Sequence, residues 1–400
     1  MKRRICVVTG SRAEYGLLKP LIAQIKADVE LELRLIATGM HLSGEFGLTY
    51  EQIEEDGFVI DEKLEVLMSS GTAVGVSKSM GLGLISFGEA YARLNPDIVV
   101  VLGDRFEIFS AVAACLVSRI PVAHIHGGEI TEGAFDDAIR HCITKLSHLH
   151  FTATDQYSNR VIQLGEAPDR VFNVGAIGLD NIAGLELLTK ETLEKELNFK
   201  FNKHNLLVTF HPVTLEPDTS PEQFGNLLAA LDNLSATHLI FTKANADMDG
   251  RAINQMIDQY VSANNHKSTV FTSMGQLRYL SIMQYVDAVV GNSSSGIIEA
   301  PSFKIGTVNI GARQKGRIRA ESIVDCGPTT EDITTALEKV LSAEFKTKIR
   351  DITNPYGEGN TAVKIKDILK NRHLGNIIKK SFYDLKLQES VLRQRDGAEK

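Results

Sequence analysis

The chain repeats one unit: a run of three to five apolar residues that ends in glycine or a small polar residue, then a segment with helical apolar spacing. The clearest runs lie at 5–9, 98–102, 122–125, 206–209, 288–290 and 307–310, with further strand-like stretches at 32–38, 150–153, 171–174, 238–242 and 269–271. The central runs do not alternate polar with apolar, so they read as strands buried on both faces, as in a parallel sheet covered by helices. Helical patterns fall between them at 17–26, 72–93, 108–119, 136–147, 156–165, 220–231, 250–261, 274–284 and 330–341. This order of βαβ units predicts an α/β chain, and 400 residues exceed what one core normally holds. The expected division is a Rossmann-like domain over 1–180, a second over 181–372, and a C-terminal helix and tail over 373–400. Two such domains facing each other would set the carboxyl ends of both sheets around one cleft, so the loops after the strands are where chemistry is sought.

Charge and cysteine usage narrow the function. A net charge of −7 with no run of basic residues gives no footprint for nucleic acid. Cys6, Cys115, Cys142 and Cys326 stand singly, without CxxC pairs or zinc spacing, and read as reduced core thiols in a reducing compartment. Met1-Lys2-Arg3-Arg4 imitates the start of a leader, but the apolar run after it is short and ends in Gly10-Ser11-Arg12. No segment approaches the roughly 18 apolar residues of a membrane span, and the expectation is a cytoplasmic protein without membrane partners.

Six loops carry candidate chemistry. Gly291-Asn292-Ser293-Ser294-Ser295-Gly296 follows a buried strand and opens a helical turn, where amides and hydroxyls can bind phosphate; the plain alternative is a capped strand-to-helix turn. After the first strand, Gly10-Ser11-Arg12-Ala13-Glu14-Tyr15 lacks GxGxxG, which disfavours a dinucleotide, and offers Arg12 either to a diphosphate or to a salt bridge with Glu14. Gly103-Asp104-Arg105-Phe106-Glu107 presents Asp104 as a helix cap or as a proton-transfer carboxyl beside an arginine. The densest polar set is His124-Ile125-His126-Gly127-Gly128-Glu129, Gly133 and Asp136-Asp137-Ala138-Ile139-Arg140-His141. It suits acid–base work more than metal, for which no compact ligand set such as HExxH is present. In the second half, His211 and the Lys243-Ala244-Asn245 loop sit at strand ends facing the expected cleft.

Taken in order, these loops resemble those of the hydrolysing UDP-N-acetylglucosamine 2-epimerases that supply precursors of sialic-acid-like sugars. The matching stretches extend to Gly311-Ala312-Arg313-Gln314 and Asn354-Pro355-Tyr356-Gly357. The resemblance implies the two-domain GT-B fold, a UDP-sugar substrate, no metal or redox cofactor, and a homodimer or homotetramer. Carried over by position, it puts UDP against Arg12, Arg105, His211, Asn245, Ser293, Ser294, Glu299 and Arg313. It draws the catalytic candidates from Asp104, His126, Glu129, Asp136 and His211. The reaction it implies removes the C2 proton, expels UDP to leave a 2-acetamidoglycal, and adds water with inversion at C2 to give N-acetylmannosamine. His126 stands where non-hydrolysing members have a glutamate, so His126 or Glu129 would take that role, or the substrate differs. The alternative substrate is UDP-2,4-diacetamido-2,4,6-trideoxyglucose, of the legionaminic acid branch. A non-hydrolysing epimerase, a GT-B glycosyltransferase and a catalytically silent UDP-sugar sensor are the other readings.

Overall fold

A computed structural model describes residues 2–68, 72–130, 135–212, 219–244, 250–272 and 274–385. Among them the strands form two sheets. The first comprises β1 (Arg3–Thr9), β2 (Leu31–Thr38), β3 (Glu62–Leu64), β4 (Ile98–Leu102), β5 (Val122–Ile125), β6 (Leu149–Thr152) and β7 (Val171–Asn173), in the order β3-β2-β1-β4-β5-β6-β7. The second comprises β8 (His204–Thr209), β9 (Thr237–Thr242), β10 (Ser268–Phe271), β11 (Ala288–Gly291), β12 (Gly306–Ile310) and β13 (Ile323–Cys326), in the order β10-β9-β8-β11-β12-β13. Every pairing is parallel.

The unalternating strand runs have a direct physical counterpart. Successive residues point to opposite faces, so Ile5, Val7, Ile98 and Val100 enter one core layer while Cys6, Val8, Val99 and Val101 enter the other. In the second sheet Leu206 and Val208 face one layer, and Leu207 and Val289 face the opposite one. Burying each such side chain contributes about 1.5–3 kcal/mol, which requires helices on both faces. Strand order reverses between β1 and β4 in the first sheet and between β8 and β11 in the second. Those two switch points leave crevices at the strands' carboxyl ends.

The chain returns to its first half near the end. Helix Thr361–Asn371 places Ala362, Ile365 and Leu369 in the core of the first sheet, although the sequence division assigns this stretch to the second half. Its N-cap, Asn360, makes no side-chain cap bond, and Asp180 supplies the acceptors instead, taking the Thr361 N–H at 2.7 Å and the Ala362 N–H at 2.6 Å. Pro20 lies inside helix Arg12–Ala27 and cannot bond the Gly16 carbonyl, which accepts from Asn181 Nδ2 at 3.1 Å. The inter-domain segment is therefore tied by its own polar residues to both terminal helices of the first half. The tail corrects an expectation of helix: its described part, 372–385, is turn and irregular chain, and Cys142 is exposed where a core thiol was expected. No helix among the described residues is long and apolar enough to cross a membrane.

Candidate active site

The first switch point gathers buried charge. Loop β4 ends in Gly103, and Asp104 there forms an ion pair with Arg140 of helix Phe135–Leu146. Arg140 also donates to the His126 carbonyl at 3.1 Å and lies 3.7 Å from Glu129. His126 occupies the left-handed region at φ 66°, a conformation that costs a residue with a side chain and that clusters at functional sites. Its Nδ1 stands 3.1 Å from Glu129, and its Nε2 accepts the Ile177 N–H at 3.3 Å. Both ring nitrogens are thus occupied by protein groups. His124 is likewise committed, with Nε2 at 2.8 Å from the Gly103 carbonyl and Nδ1 at 3.1 Å from Thr144, and burial pushes it down to about 3.

The carboxyls here diverge in character. Burial opposes ionisation of Glu129, yet His126, Arg317 and Arg140 together hold its carboxylate well below the usual range. Asp136 is pushed upward, first by burial and then by Asp104, against the pull of Arg105 and Arg140. Arg105 forms an ion pair with Glu107, while Glu14 folds back onto the Gly10 N–H at 2.7 Å and Arg12 remains exposed at the helix start.

The second switch point is built largely from small and amide groups, with Arg313 and His211 held among them. Gly291 has φ 135°, and a Cβ there would lie 1.9 Å from the Thr209 carbonyl oxygen, so only glycine lets β11 run this close to β8. Asn292 then clamps the neighbouring loop: its Oδ1 accepts the His211 N–H at 2.7 Å and its Nδ2 donates to the His211 carbonyl at 2.8 Å. The Asn292 carbonyl accepts from Arg313 and from Gln314, each at 2.9 Å. Ser293 caps a helix, but that helix runs only Ser294–Ile298 before a 3-10 turn at Ala300–Phe303. Anion binding here would rest on local N–H and hydroxyl groups, since so short a helix has little macrodipole. His211 is pushed down to about 4 by burial and by Arg313, and burial raises Glu299.

Segment 313–318 joins the two crevices. Its Arg317 lies 3.6 Å from Glu129, the Ile318 N–H donates to Tyr157 Oη at 3.3 Å, and Tyr356 Oη donates to the Ile318 carbonyl at 3.0 Å. Within the first half the sequence candidates Asp104, His126, Glu129 and Asp136 converge around Arg140 and its neighbours; His211, Ser293 and Arg313 meet in the second half around Asn292. Asn245, Gly133, Val213 and Thr214 lie outside the described residues. Sequence reasoning did not single out Asn292, Gln314, Arg140 or Arg317 as organisers, although the first three stand inside stretches it quoted. Among the described residues no group of three His, Cys, Asp or Glu is arranged to hold a metal.

Two Rossmann-like domains, each built on a parallel sheet whose strand order reverses once, define a GT-B-like fold. The chain belongs to the UDP-N-acetylglucosamine 2-epimerase family, whose model matches residues 23–370. It is 45% identical over 385 residues to the Campylobacter jejuni GDP/UDP-N,N'-diacetylbacillosamine 2-epimerase (hydrolyzing), covering 96% of this chain and 100% of that one. The Escherichia coli polysialic acid biosynthesis protein P7 is 37% identical, with 96% and 98% covered, and the Legionella pneumophila UDP-N,N'-diacetylbacillosamine 2-epimerase (hydrolyzing) is 35% identical, with 92% and 96% covered. Among solved structures, an S. aureus MnaA–UDP complex shares the fold at TM-score 0.78 and 17% identity, covering 96% of this chain and 100% of that one.

Proposed function

We propose that this protein is a hydrolysing UDP-sugar 2-epimerase whose substrate is UDP-2,4-diacetamido-2,4,6-trideoxyglucose, releasing UDP and the corresponding manno sugar. The observation that carries the reading is the 45% identity, across essentially the whole of both chains, to a hydrolysing diacetylbacillosamine 2-epimerase. That relationship moves the preference away from UDP-N-acetylglucosamine, the first expectation from sequence. UDP-N-acetylglucosamine remains the second reading, supported by the 37% identity to a polysialic acid biosynthesis protein.

In this reading UDP lies on the Asn292-organised crevice, with Ser293, Ser294 and Arg313 toward the diphosphate, Glu299 toward the ribose, and Arg12 reaching over from the first half. Asp104 and Asp136 share the proton transfers at C2. One takes the C2 proton while the C1–oxygen bond to UDP breaks and a C1–C2 double bond forms. Water then adds its hydroxyl at C1, and a proton returns to C2 on the opposite face. A C–H bond beside an amide-bearing carbon is hard to break, so charge stabilisation of departing UDP by arginines must supply much of the rate. Glu129, His126 and Arg140 hold the loop geometry, and the occupied nitrogens of His126 favour that supporting role over proton transfer.

Incubation in D₂O tests this. The diacetamido sugar nucleotide should yield free UDP and a manno product deuterated at C2, with kcat/KM at least about tenfold above that for UDP-N-acetylglucosamine; a difference of this size corresponds to about 1.4 kcal/mol. Faster turnover of UDP-N-acetylglucosamine would reverse the substrate assignment. A product protiated at C2 would indicate a transferase, and intact substrate a sensor.

A further inference from the structure

Beneath the acid–base loops the chain buries two carboxyls together. Glu14 is in the first turn of helix Arg12–Ala27, and Glu107 is in the first turn of helix Phe106–Ser118, the helices that follow the two strands of the first switch point. Glu14 is 6% exposed and Glu107 fully buried. Both press on one backbone position: a Cβ at Gly10 would stand 2.7 Å from Glu107 Oε1 and 3.1 Å from Glu14 Oε2. Each carboxyl has one oxygen satisfied, Glu14 Oε2 by the Gly10 N–H and Glu107 Oε1 by Arg105 Nε. The other oxygens, Glu14 Oε1 and Glu107 Oε2, are buried with no hydrogen-bond partner.

Two adjacent carboxylates served by one guanidinium leave a net negative charge in a dry site, and a shared proton removes it. That proton also gives one of the two orphaned oxygens a hydrogen to donate. Among the described residues, the charges that act on Glu14 include no cation besides Arg105. Asp104 adds negative field, Asp136 also acts on Arg105, and His41, hydrogen-bonded to Thr9 at 3.0 Å, is pushed down to about 4 by burial and so is neutral at pH 7. Burial and then Glu107 push the Glu14 carboxyl up to about 8, against Arg105 and the Gly10 N–H.

We propose that Glu14 and Glu107 form a carboxyl pair holding a single proton, and that this pair fixes Arg105 and through it positions Asp136. The second half of the statement rests on the epimerase reading; the first does not. Neither glutamate touches substrate, so both are positioning residues.

The test uses full-length E14Q and E107Q, each compared with the unmodified chain in Tm from pH 5.5 to 8.5 and in kcat and KM across the same range. Glu14's folded pKa lies above its unfolded value near 4.5, so between them the folded chain binds the extra proton and loses stability as pH rises. The unmodified chain should therefore fall several degrees in Tm relative to E14Q across this range. E107Q, which removes the Glu107 charge but leaves Glu14 buried beside Arg105, should show a shallower slope than the unmodified chain, which keeps the test decisive if E14Q does not fold. Tm curves parallel to the unmodified chain in the variants overturn the shared proton. For positioning, E107Q should lower kcat at least about tenfold with KM nearly unchanged, and E14Q should remove the alkaline limb of kcat near pH 8. Diverging Tm curves with kcat–pH profiles identical to the unmodified chain would overturn that half. Absence of turnover on every UDP-sugar would strike the function reading while leaving the Tm result to decide the pair.

Discussion

The two switch points share one topology and differ in almost everything chemical. At the β1/β4 switch point Glu14, Glu107, Glu129 and Arg140 are buried, with Asp104 and Asp136 beside them; burial and neighbouring carboxylates push the Glu14 and Asp136 carboxyls up, while His126, Arg317 and Arg140 hold that of Glu129 down. Between β8 and β11 the loops offer glycine, serine and an asparagine whose side chain is consumed in holding His211. A site full of coupled carboxyls is suited to moving protons, and one of fixed amides and hydroxyls is suited to holding an anion without being titrated by it. The fold supplies the same crevice twice, and the sequence at the strand ends gives each its own task.

That contrast can be broken by substitutions that should affect one side only. The largest effect is expected from Asp104→Asn, which should lower kcat by about 10²-fold or more while UDP affinity, measured by calorimetry, stays within about twofold. Equal losses in both would merge the two regions. Arg313→Ala should weaken UDP by about 1.5–3 kcal/mol if it makes a charged hydrogen bond, and an unchanged UDP Kd would remove it from the cradle. Away from both crevices, Glu166 is a control for proton-linked stability. It is buried against His150 at 3.0 Å and ion-paired with Lys145 and Lys380. Burial works against its ionisation, but His150, Lys145 and Lys380 bring it down to about 2. Because its folded pKa lies below the unfolded value near 4.5, the stability it adds is present above about pH 4.5 and is lost as pH falls toward 2. Glu166→Gln should accordingly lower Tm at pH 7 and flatten the acid-side decline, a slope opposite in sign to that expected of Glu14. The smallest effect is expected from Asp180→Ala, which should cost about 1 kcal/mol in denaturant unfolding by uncapping helix Thr361–Asn371, with kcat preserved.

Much of the scaffold was legible because buried parallel strands write themselves as unbroken runs of Val, Ile and Leu, as at 98–102 and 206–208. The edges were not. β3 (Glu-Lys-Leu) and β13 (Ile-Val-Asp-Cys) are short and partly exposed, so they carry no such run. Helix Thr361–Asn371 has a clear apolar face, but which core that face enters is decided by Asp180 and by packing far away in the chain. At the site, the loops that carry Asp104, His126, Ser293 and Arg313 could be read from their positions after strands. The pairings could not. Arg105 is held by Glu107 two residues on, Arg140 is shared by three loop groups, and Asn292 spends its amide on a neighbouring backbone. Those choices depend on side-chain geometry that spacing does not encode.

The central claim is that one crevice holds the nucleotide diphosphate while the other presents carboxyls to the sugar. A crystal structure of the Asp104→Asn variant with UDP-2,4-diacetamido-2,4,6-trideoxyglucose tests it most directly. The pyrophosphate should lie against Ser293, Ser294 and Arg313, with C2 of the hexose facing residue 104 and the Asp136 carboxyl. A pyrophosphate seated on the first switch point, or a hexose turned away from Asp136, would contradict it.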